Sequence, residues 1–229
     1  MANAYCVLPE RENVKLNKTE THHLRVARAS IGERFLGLDG KGNLYTFELT
    51  TLNKEEATGK IVKRDKVEHD NKMVTMAIAA TKWPALRIAL EKATELGVDR
   101  IEIFHSDRSV ARFDKRKIKK IEKVIIEASK QCINPFFPEF EINNSLNDNT
   151  GSFDLILDPS GSQPKDVMES FSKNTSIRII VGPEGGFNQT ELDELGNSGR
   201  FMSLGKRILR VETSVIVSLA YVNLAFNRL

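Results

Sequence analysis

Two glycine-bearing turns lie close together near the carboxyl end of this 229-residue chain, each where an apolar stretch breaks off and a helix start follows. The first is Ile177-Arg-Ile-Ile-Val-Gly-Pro-Glu-Gly-Gly-Phe-Asn-Gln-Thr190, and the second is Phe201-Met-Ser-Leu-Gly-Lys-Arg-Ile-Leu-Arg-Val-Glu-Thr-Ser214. At such a junction in a parallel sheet the backbone N–H groups face a ligand, and glycine lets a planar ligand approach closely. Taken alone, Gly182 to Gly186 reads equally well as a plain strand exit, with Asn188 as N-cap and Glu191 at capping-box spacing. The second turn, about one βα unit downstream, favours binding, because two such turns suggest one composite pocket. The Lys-Ser/Thr of a P-loop and the G-x-G-x-x-G spacing are both missing, so nucleotide hydrolysis and a Rossmann cofactor lose support.

The elements that must position these turns alternate. From Met73 onward, Met73-Val-Thr-Met-Ala-Ile-Ala-Ala is an uncharged buried strand, Pro84 to Leu96 an amphipathic helix ended by Gly97, and Arg100-Ile-Glu-Ile-Phe the next strand. A basic helix follows from about Lys115 to Lys130, then strands at Asp154-Leu-Ile-Leu-Asp, Ile177 to Val181 and Phe201 to Leu204, with helices starting near Pro164, Asn188 and Thr213. This succession requires a mostly parallel sheet covered on both faces. The first 70 residues differ: two apolar stretches flank Asp39-Gly-Lys-Gly, strong hairpin chemistry, and a small β-barrel fits. A short helical turn, Thr21 to Ala29, precedes that hairpin, and the polar stretch Lys63 to Lys72 reads as a boundary between domains at 1–70 and 73–229.

Composition narrows the class. The chain is 40% hydrophobic and 28% charged, as expected of a soluble globular protein, with no run of membrane-spanning length and no secretion signal at its start. Cys6 and Cys132 are far apart, which makes a disulfide framework or a zinc site unexpected and the cytoplasm the default compartment. Net charge is +3 but uneven, and eight Lys or Arg fall between Arg108 and Lys123. That run either tracks a phosphate backbone or is the solvated face of a helix whose Ile118, Ile121 and Ile125 point inward.

The combination Lys92-Ala-Thr-Glu-Leu-Gly97, Glu127-Ala-Ser-Lys-Gln131, Val181-Gly-Pro-Glu-Gly-Gly-Phe187 and Leu204-Gly-Lys-Arg-Ile-Leu-Arg-Val-Glu-Thr213 closely resembles the ribosomal small-subunit methyltransferase E family, and the likeness extends to His22 to Arg28 and the hairpin after it. That family is of the SPOUT class and methylates uridine N3 in 16S rRNA. The resemblance implies an α/β fold: a trefoil-knotted methyltransferase domain behind an N-terminal PUA-like β-barrel that helps hold RNA. It further implies S-adenosylmethionine as cofactor, a homodimer with active sites near the subunit interface, and the small ribosomal subunit or its 16S rRNA as partner; the glycine-rich turns carry no Cys/His/Asp cluster at ligand spacing and no run is of membrane length, so neither a metal nor a membrane is expected. Carried over by position, the cofactor residues are Leu157, Asp158, Gly182, Pro183, Glu184, Gly185, Gly186, Leu204, Gly205, Ile208, Leu209 and Arg210.

For the chemistry, uracil N3 carries a proton that must leave, so a base or a cation beside the developing anion would help. Arg210 is the candidate cation or RNA contact. Glu212 either orients Arg210 or accepts the proton, or else it only complements the dipole of the last helix. Thr213 is read as a cap. RNA-binding candidates are Arg25, Arg28, Lys115, Arg116, Lys119 and Gln131, each against an ordinary surface role, while His22 and His23 fit a local structural role equally well. Lys92 and Glu95 either serve the site or pair with each other. The chain departs from the family pattern at Ile133-Asn134, where many members have glycine and arginine, at Ser214, usually alanine, and at Asp158-Pro-Ser-Gly161. Two other readings stand: a catalytically silent RNA-binding or ribosome-assembly module, and a related SPOUT enzyme acting on tRNA.

Overall fold

The computed structural model describes residues 4–112, 117–146 and 152–228. The chain forms two compact units, Met1–His69 with Ile126–Phe137, and Asp70–Ile125 with Pro138–Leu229.

The first unit carries a six-stranded sheet of β1 (Tyr5–Cys6), β2 (Leu8–Glu10), β3 (Asn13–Leu16), β4 (Arg34–Leu38), β5 (Asn43–Leu52) and β6 (Ala57–Lys66), in the order β1-β4-β5-β6-β3-β2. The two ends of that order, β1 and β2, are one extended segment interrupted only at Val7, so the sheet closes on itself as a small barrel. Along β5 the side chains alternate, with Tyr45, Phe47 and Leu49 inward against Val7, Val14, Leu16, Leu24 and Ala57. Gly59 pairs with Leu49, and a Cβ there would strike the Phe47 ring, so the position takes glycine. The hairpin between β4 and β5 is organised by Asp39, whose carboxylate accepts from the Lys41 N–H at 2.8 Å and the Tyr45 hydroxyl at 3.1 Å.

Helix α1 (Lys18–Val26) starts earlier than the Thr21 that the sequence suggests, because Asn17 caps it by accepting from the Glu20 N–H at 3.0 Å. It ends with Arg28 in the left-handed region, φ 59, where the Ala29 N–H reaches back to the Leu24 carbonyl at 3.0 Å. The division between the units, His69 to Asp70, falls inside the Lys63 to Lys72 stretch, whose first four residues continue β6, held by pairing to β5 that polarity alone does not reveal.

In the second unit a six-stranded sheet has the order β12-β10-β11-β7-β8-β9, every pair parallel. Its strands are β7 (Met73–Ala79), β8 (Arg100–Phe104), β9 (Glu139–Asn143), β10 (Phe153–Ser162), β11 (Ser176–Val181) and β12 (Gly199–Met202). The helices are α2 (Trp83–Glu95), α4 (Pro164–Phe171), α5 (Gln189–Ser198) and α6 (Val211–Ala225). Because residues alternate faces, Ile177, Ile179 and Val181 of β11 join the large core that includes Leu86 and Leu90 of α2 and Val215 and Leu219 of α6, while Ile180 joins a smaller core with Leu195 of α5. Strand β9 is absent from the sequence expectation.

On that second face the pleat also lines up a buried ionic row. Arg178 donates to both oxygens of Asp154 at 2.9 and 2.7 Å and lies 3.5 Å from Glu102. Burial, only partly offset by Arg178, pushes the Glu102 carboxyl above its ordinary value.

Helix α3 (Ile118–Cys132) is shared: residues to Ile125 belong to the second unit and those from Ile126 to the first. The domain expectation of 1–70 and 73–229 made no allowance for this return. Lys130 is fully buried and bridges Glu20 of α1 at 2.7 Å and Glu127 at 2.9 Å. At the end of α3, Ile133 adopts φ 57 and the Asn134 N–H bonds the Ser129 carbonyl at 2.9 Å. This is the position where glycine is ordinary and a β-branched residue is strained.

Candidate functional site

A cavity of about 280 Å³ opens at the carboxyl ends of β10, β11 and β12. Parallel sheets expose loop backbone at that edge, beyond the strand ends. Leu157, Val181, Met202, Leu204, Ile208 and Leu209 supply apolar wall; Asp158, Glu184, Arg207, Ser203 and Ser214 supply polar groups; the two glycine turns supply backbone.

Each wall has a local cause. Strand β10 loses register with β12 between Leu157 and Ser162, and Asp158-Pro-Ser-Gly161 bulges there. The Asp158 carboxylate accepts from the Ser160 N–H at 2.9 Å and the Ser160 hydroxyl at 2.6 Å, which holds the bulge. Gly161 then returns so close to β12 that a Cβ would lie 2.5 Å from the Met202 nitrogen. The second wall, Gly182 to Gly186, is closed by the Gly186 N–H on the Pro183 carbonyl at 2.9 Å, with Gly186 at φ 67. Thr81, fully buried just beyond β7, donates its hydroxyl to the Glu184 carboxylate. Asn188 and Glu191 form the reciprocal capping box at the start of α5. The third wall, Leu204 to Arg210, is loosely held: the Ser203 hydroxyl meets the Gly205 backbone at 3.3 and 3.4 Å, and Ile208 is 90% exposed.

The cavity gathers Leu157, Asp158, Gly182, Pro183, Glu184, Gly185, Gly186, Leu204, Gly205, Ile208 and Leu209. Arg210 and Glu212 are not among the residues lining it: Arg210 is exposed at the N-cap of α6 and Glu212 sits in that helix's first turn. Arg207, absent from the sequence list, does line it. Thr213 does not cap α6, which begins two residues earlier at Val211 with no side-chain cap.

One connection that sequence reasoning passed over reaches the second wall. The segment after β8 carries Ser106, Asp107 and Arg108. The Ser106 hydroxyl and the Asp107 N–H donate to Glu191 at 2.7 and 3.0 Å, Asn188 donates its amide to Asp107 at 2.8 Å, and Arg108 donates to the Gly185 and Phe187 carbonyls at 3.0 and 3.3 Å. Burial pushes the Glu191 carboxyl up, but the hydrogen bonds from Asn188, Ser106 and Asp107 and the Arg108 charge outweigh it, so the net shift is downward. Its only sequence trace is the basic run, which names Arg108 without a partner.

Arg25, Arg28, Lys119 and Gln131 are exposed, Arg25 and Arg28 at the end of α1 and the other two on α3. Lys115 and Arg116 lie outside the described residues. Lys120 stands 4.0 Å over the Trp83 ring, so the basic run is not one uniform surface. Lys92 pairs with Glu95 at 2.8 Å and with Glu91 at 3.1 Å. Glu20, His23 and Glu127 each offer a metal-type ligand atom within 4.8 Å of one another, a grouping hidden by the sequence distance between α1 and α3. Lys130 already supplies a cation to both carboxylates there.

The sheet with its carboxyl-edge cavity is the architecture of an RNA-modifying methyltransferase: residues 68–223 match the RNA methyltransferase domain family and residues 16–62 the RNA methyltransferase PUA domain family. The ribosomal RNA small subunit methyltransferase E 2 of Borreliella burgdorferi is 31% identical over 91% of this chain and 89% of its own length. The chain belongs to the ribosomal RNA small subunit methyltransferase E family. A crystal structure of a predicted RNA methyltransferase from Thermotoga maritima superposes with a TM-score of 0.83 at 30% identity, covering 99% of this chain and 100% of that one. The small subunit methyltransferase E of Neisseria gonorrhoeae, crystallised bound to S-adenosyl methionine, has the same fold, with a TM-score of 0.88 at 24% identity over 98% of each chain. No helix among the described residues is long and apolar enough to cross a membrane.

Proposed function

We propose that the cavity binds S-adenosylmethionine and that the protein methylates N3 of a uridine in 16S rRNA. The observation that supports this most is the convergence of both glycine turns on one cavity at the sheet's carboxyl edge. The donor set suits the group: Leu157, Val181, Met202 and Leu209 make a dry slot, and the Gly182–Gly186 and Leu204–Gly205 backbones offer polar edges without bulk. When bound, the cofactor supplies an electrophilic methyl group on a sulfonium, a chemistry that needs no metal.

What remains for the chain is to hold the acceptor, exclude water and manage one proton. The uracil N3 proton leaves before or as N3 attacks. Arg210, at the exposed mouth of α6, stabilises the negative charge that develops on the ring, and Glu212 orients Arg210 or accepts the proton. Arg25, Arg28, Lys119 and Gln131 hold rRNA through its backbone, Lys115 and Arg116 being assigned the same role from the sequence alone. The enzyme acts in the cytoplasm as a homodimer, with the trefoil thread the resemblance implies. The surface suited to pairing is the α6 stripe of Ile216 and Leu224, which are 37% and 56% exposed on an apolar helix.

Calorimetry in the presence of a chelator tests the site: S-adenosylmethionine should bind, and Ser214→Phe, which projects a ring into the cavity from the first turn of α6, should abolish it. Undiminished binding by that variant would remove this cavity from the reading. Light scattering that finds only monomer at micromolar protein would reject the dimer.

A further inference from the structure

The Gly182–Gly186 wall is glycine-rich, and a free glycine backbone loses more conformational freedom on ordering than any other. The segment Ser106–Arg108 meets that problem. A peptide unit is planar and trans, so its C=O and N–H point in opposite directions, and fixing one end aims the other. In the unit joining Gly185 to Gly186, Arg108 holds the carbonyl at 3.0 Å and Pro183 accepts from the N–H at 2.9 Å. In the unit joining Phe187 to Asn188, Arg108 holds the carbonyl at 3.3 Å and Glu191 accepts from the N–H at 2.8 Å. Both planes are therefore pinned at both ends. One guanidinium nitrogen, Nη1, reaches both carbonyls, two residues apart, so a lysine ammonium, shorter in reach, keeps the charge and part of the contact.

We propose that Arg108, backed by Asp107 and Glu191, is a positioning residue for cofactor binding: it presets the Gly185–Asn188 backbone in the shape that receives the cofactor. This rests on the reading of the cavity given above. Asp107 anchors Asn188 from one side at 2.8 Å, and Glu191 takes the Ser106 hydroxyl and the Asp107 N–H, so Arg108 projects from a segment that is itself tied to α5. Although Arg108 begins the basic run, its hydrogen bonds point to the protein's own carbonyls, which separates it in function from Lys119.

The test compares Arg108→Ala, Arg108→Lys and Ser214→Phe in the full chain, by calorimetric titration with S-adenosylmethionine, thermal unfolding without it, and initial rates on small ribosomal subunits. Arg108→Ala should bind the cofactor roughly tenfold more weakly, the effect of having to order about one backbone residue on binding. Its KM for cofactor should rise more than its kcat falls, because the turn shapes binding rather than the reacting atoms. Arg108→Lys, with its charge kept, should recover part of the loss. Unchanged affinity in both Arg108 variants, beside a clear loss in Ser214→Phe, would overturn the inference and leave the cavity reading standing. Unchanged affinity in all three would overturn both. A loss of affinity in Arg108→Ala matched by a collapse of its unfolding transition, with Arg108→Lys fully normal in both, would also overturn it, since charge or fold alone would then explain the effect.

Discussion

The two glycine turns follow β11 and β12, strands that flank β10 on either side, yet they are held very differently. Gly182 to Gly186 is closed by its own turn, pinned by Arg108, tied through Thr81 to the end of β7, and followed by a capping box. Among the described residues, Leu204 to Arg210 is held by the Ser203 hydroxyl at Gly205 and by the Ser214 N–H on the Arg210 carbonyl at 2.9 Å, and it exposes Ile208, Lys206, Arg207 and Arg210. One wall of the cavity is fixed by bonds from three other segments, the other mainly by bonds from its own flanks. Preorganised backbone suits a constant ligand, whereas an open, cationic and partly apolar loop suits a large polyanion that must be engaged and released.

That contrast breaks first at the preset wall. Gly186→Val puts a β-branched residue at φ 67, a strain of about 1–3 kcal/mol that the pinned turn cannot relax, and should cost roughly ten- to a hundredfold in cofactor affinity by calorimetry. At Gly185, where an added Cβ meets only the Arg108 side chain at 3.4 and 3.5 Å, valine should cost less. Equal losses at the two positions would say that bulk, not backbone shape, governs the turn. At the open wall the expectation reverses: Arg210→Ala should leave cofactor affinity intact and slow single-turnover methyl transfer on small ribosomal subunits, on the order of a hundredfold if its charge acts mainly in the transition state. A normal rate would end its catalytic assignment.

Away from the cavity, Ile133→Gly should raise stability by roughly 1 kcal/mol, read as an increase in the thermal midpoint, because glycine removes the strain at φ 57. The smallest effect is at Glu191. Its carboxyl is held below the ordinary 4.5, so its contribution to stability is present above that value and is lost as pH falls through the lower, folded-state value. Glu191→Gln should flatten that part of the acid unfolding profile; an unaltered profile would mean that the hydrogen bonds from Ser106 and Asp107 are energetically idle.

What the sequence made readable was local. The βα alternation from Met73, Gly97 at the end of α2 and the Asn188 and Glu191 capping box each rest on local patterns and are present in the structure, and the meeting of the two glycine turns followed from the parallel-sheet rule that puts strand-end loops on one edge. What it hid was long-range pairing. Nothing local marks Lys130 as a buried cation between α1 and α3, extends β6 through Lys63 to Lys66, closes the barrel through Val7, or turns Arg108 inward to Gly185. Arg210 shows the same limit from the other side, since its place in the motif says nothing of whether it lines the cavity. Where a strand must find a partner, or a charge a counter-charge, dozens of residues away, periodicity carries no information about which partner it finds.

The most direct measurement takes small ribosomal subunits from cells lacking this gene, incubates them with the protein and methyl-labelled S-adenosylmethionine, and maps the product nucleotides by mass spectrometry. The predicted result is one uridine of 16S rRNA carrying a single new methyl group on N3, absent when Ser214→Phe replaces the wild-type protein. Label on a carbon or a ribose oxygen, label only in tRNA, or no label in 16S rRNA with cofactor bound would contradict it.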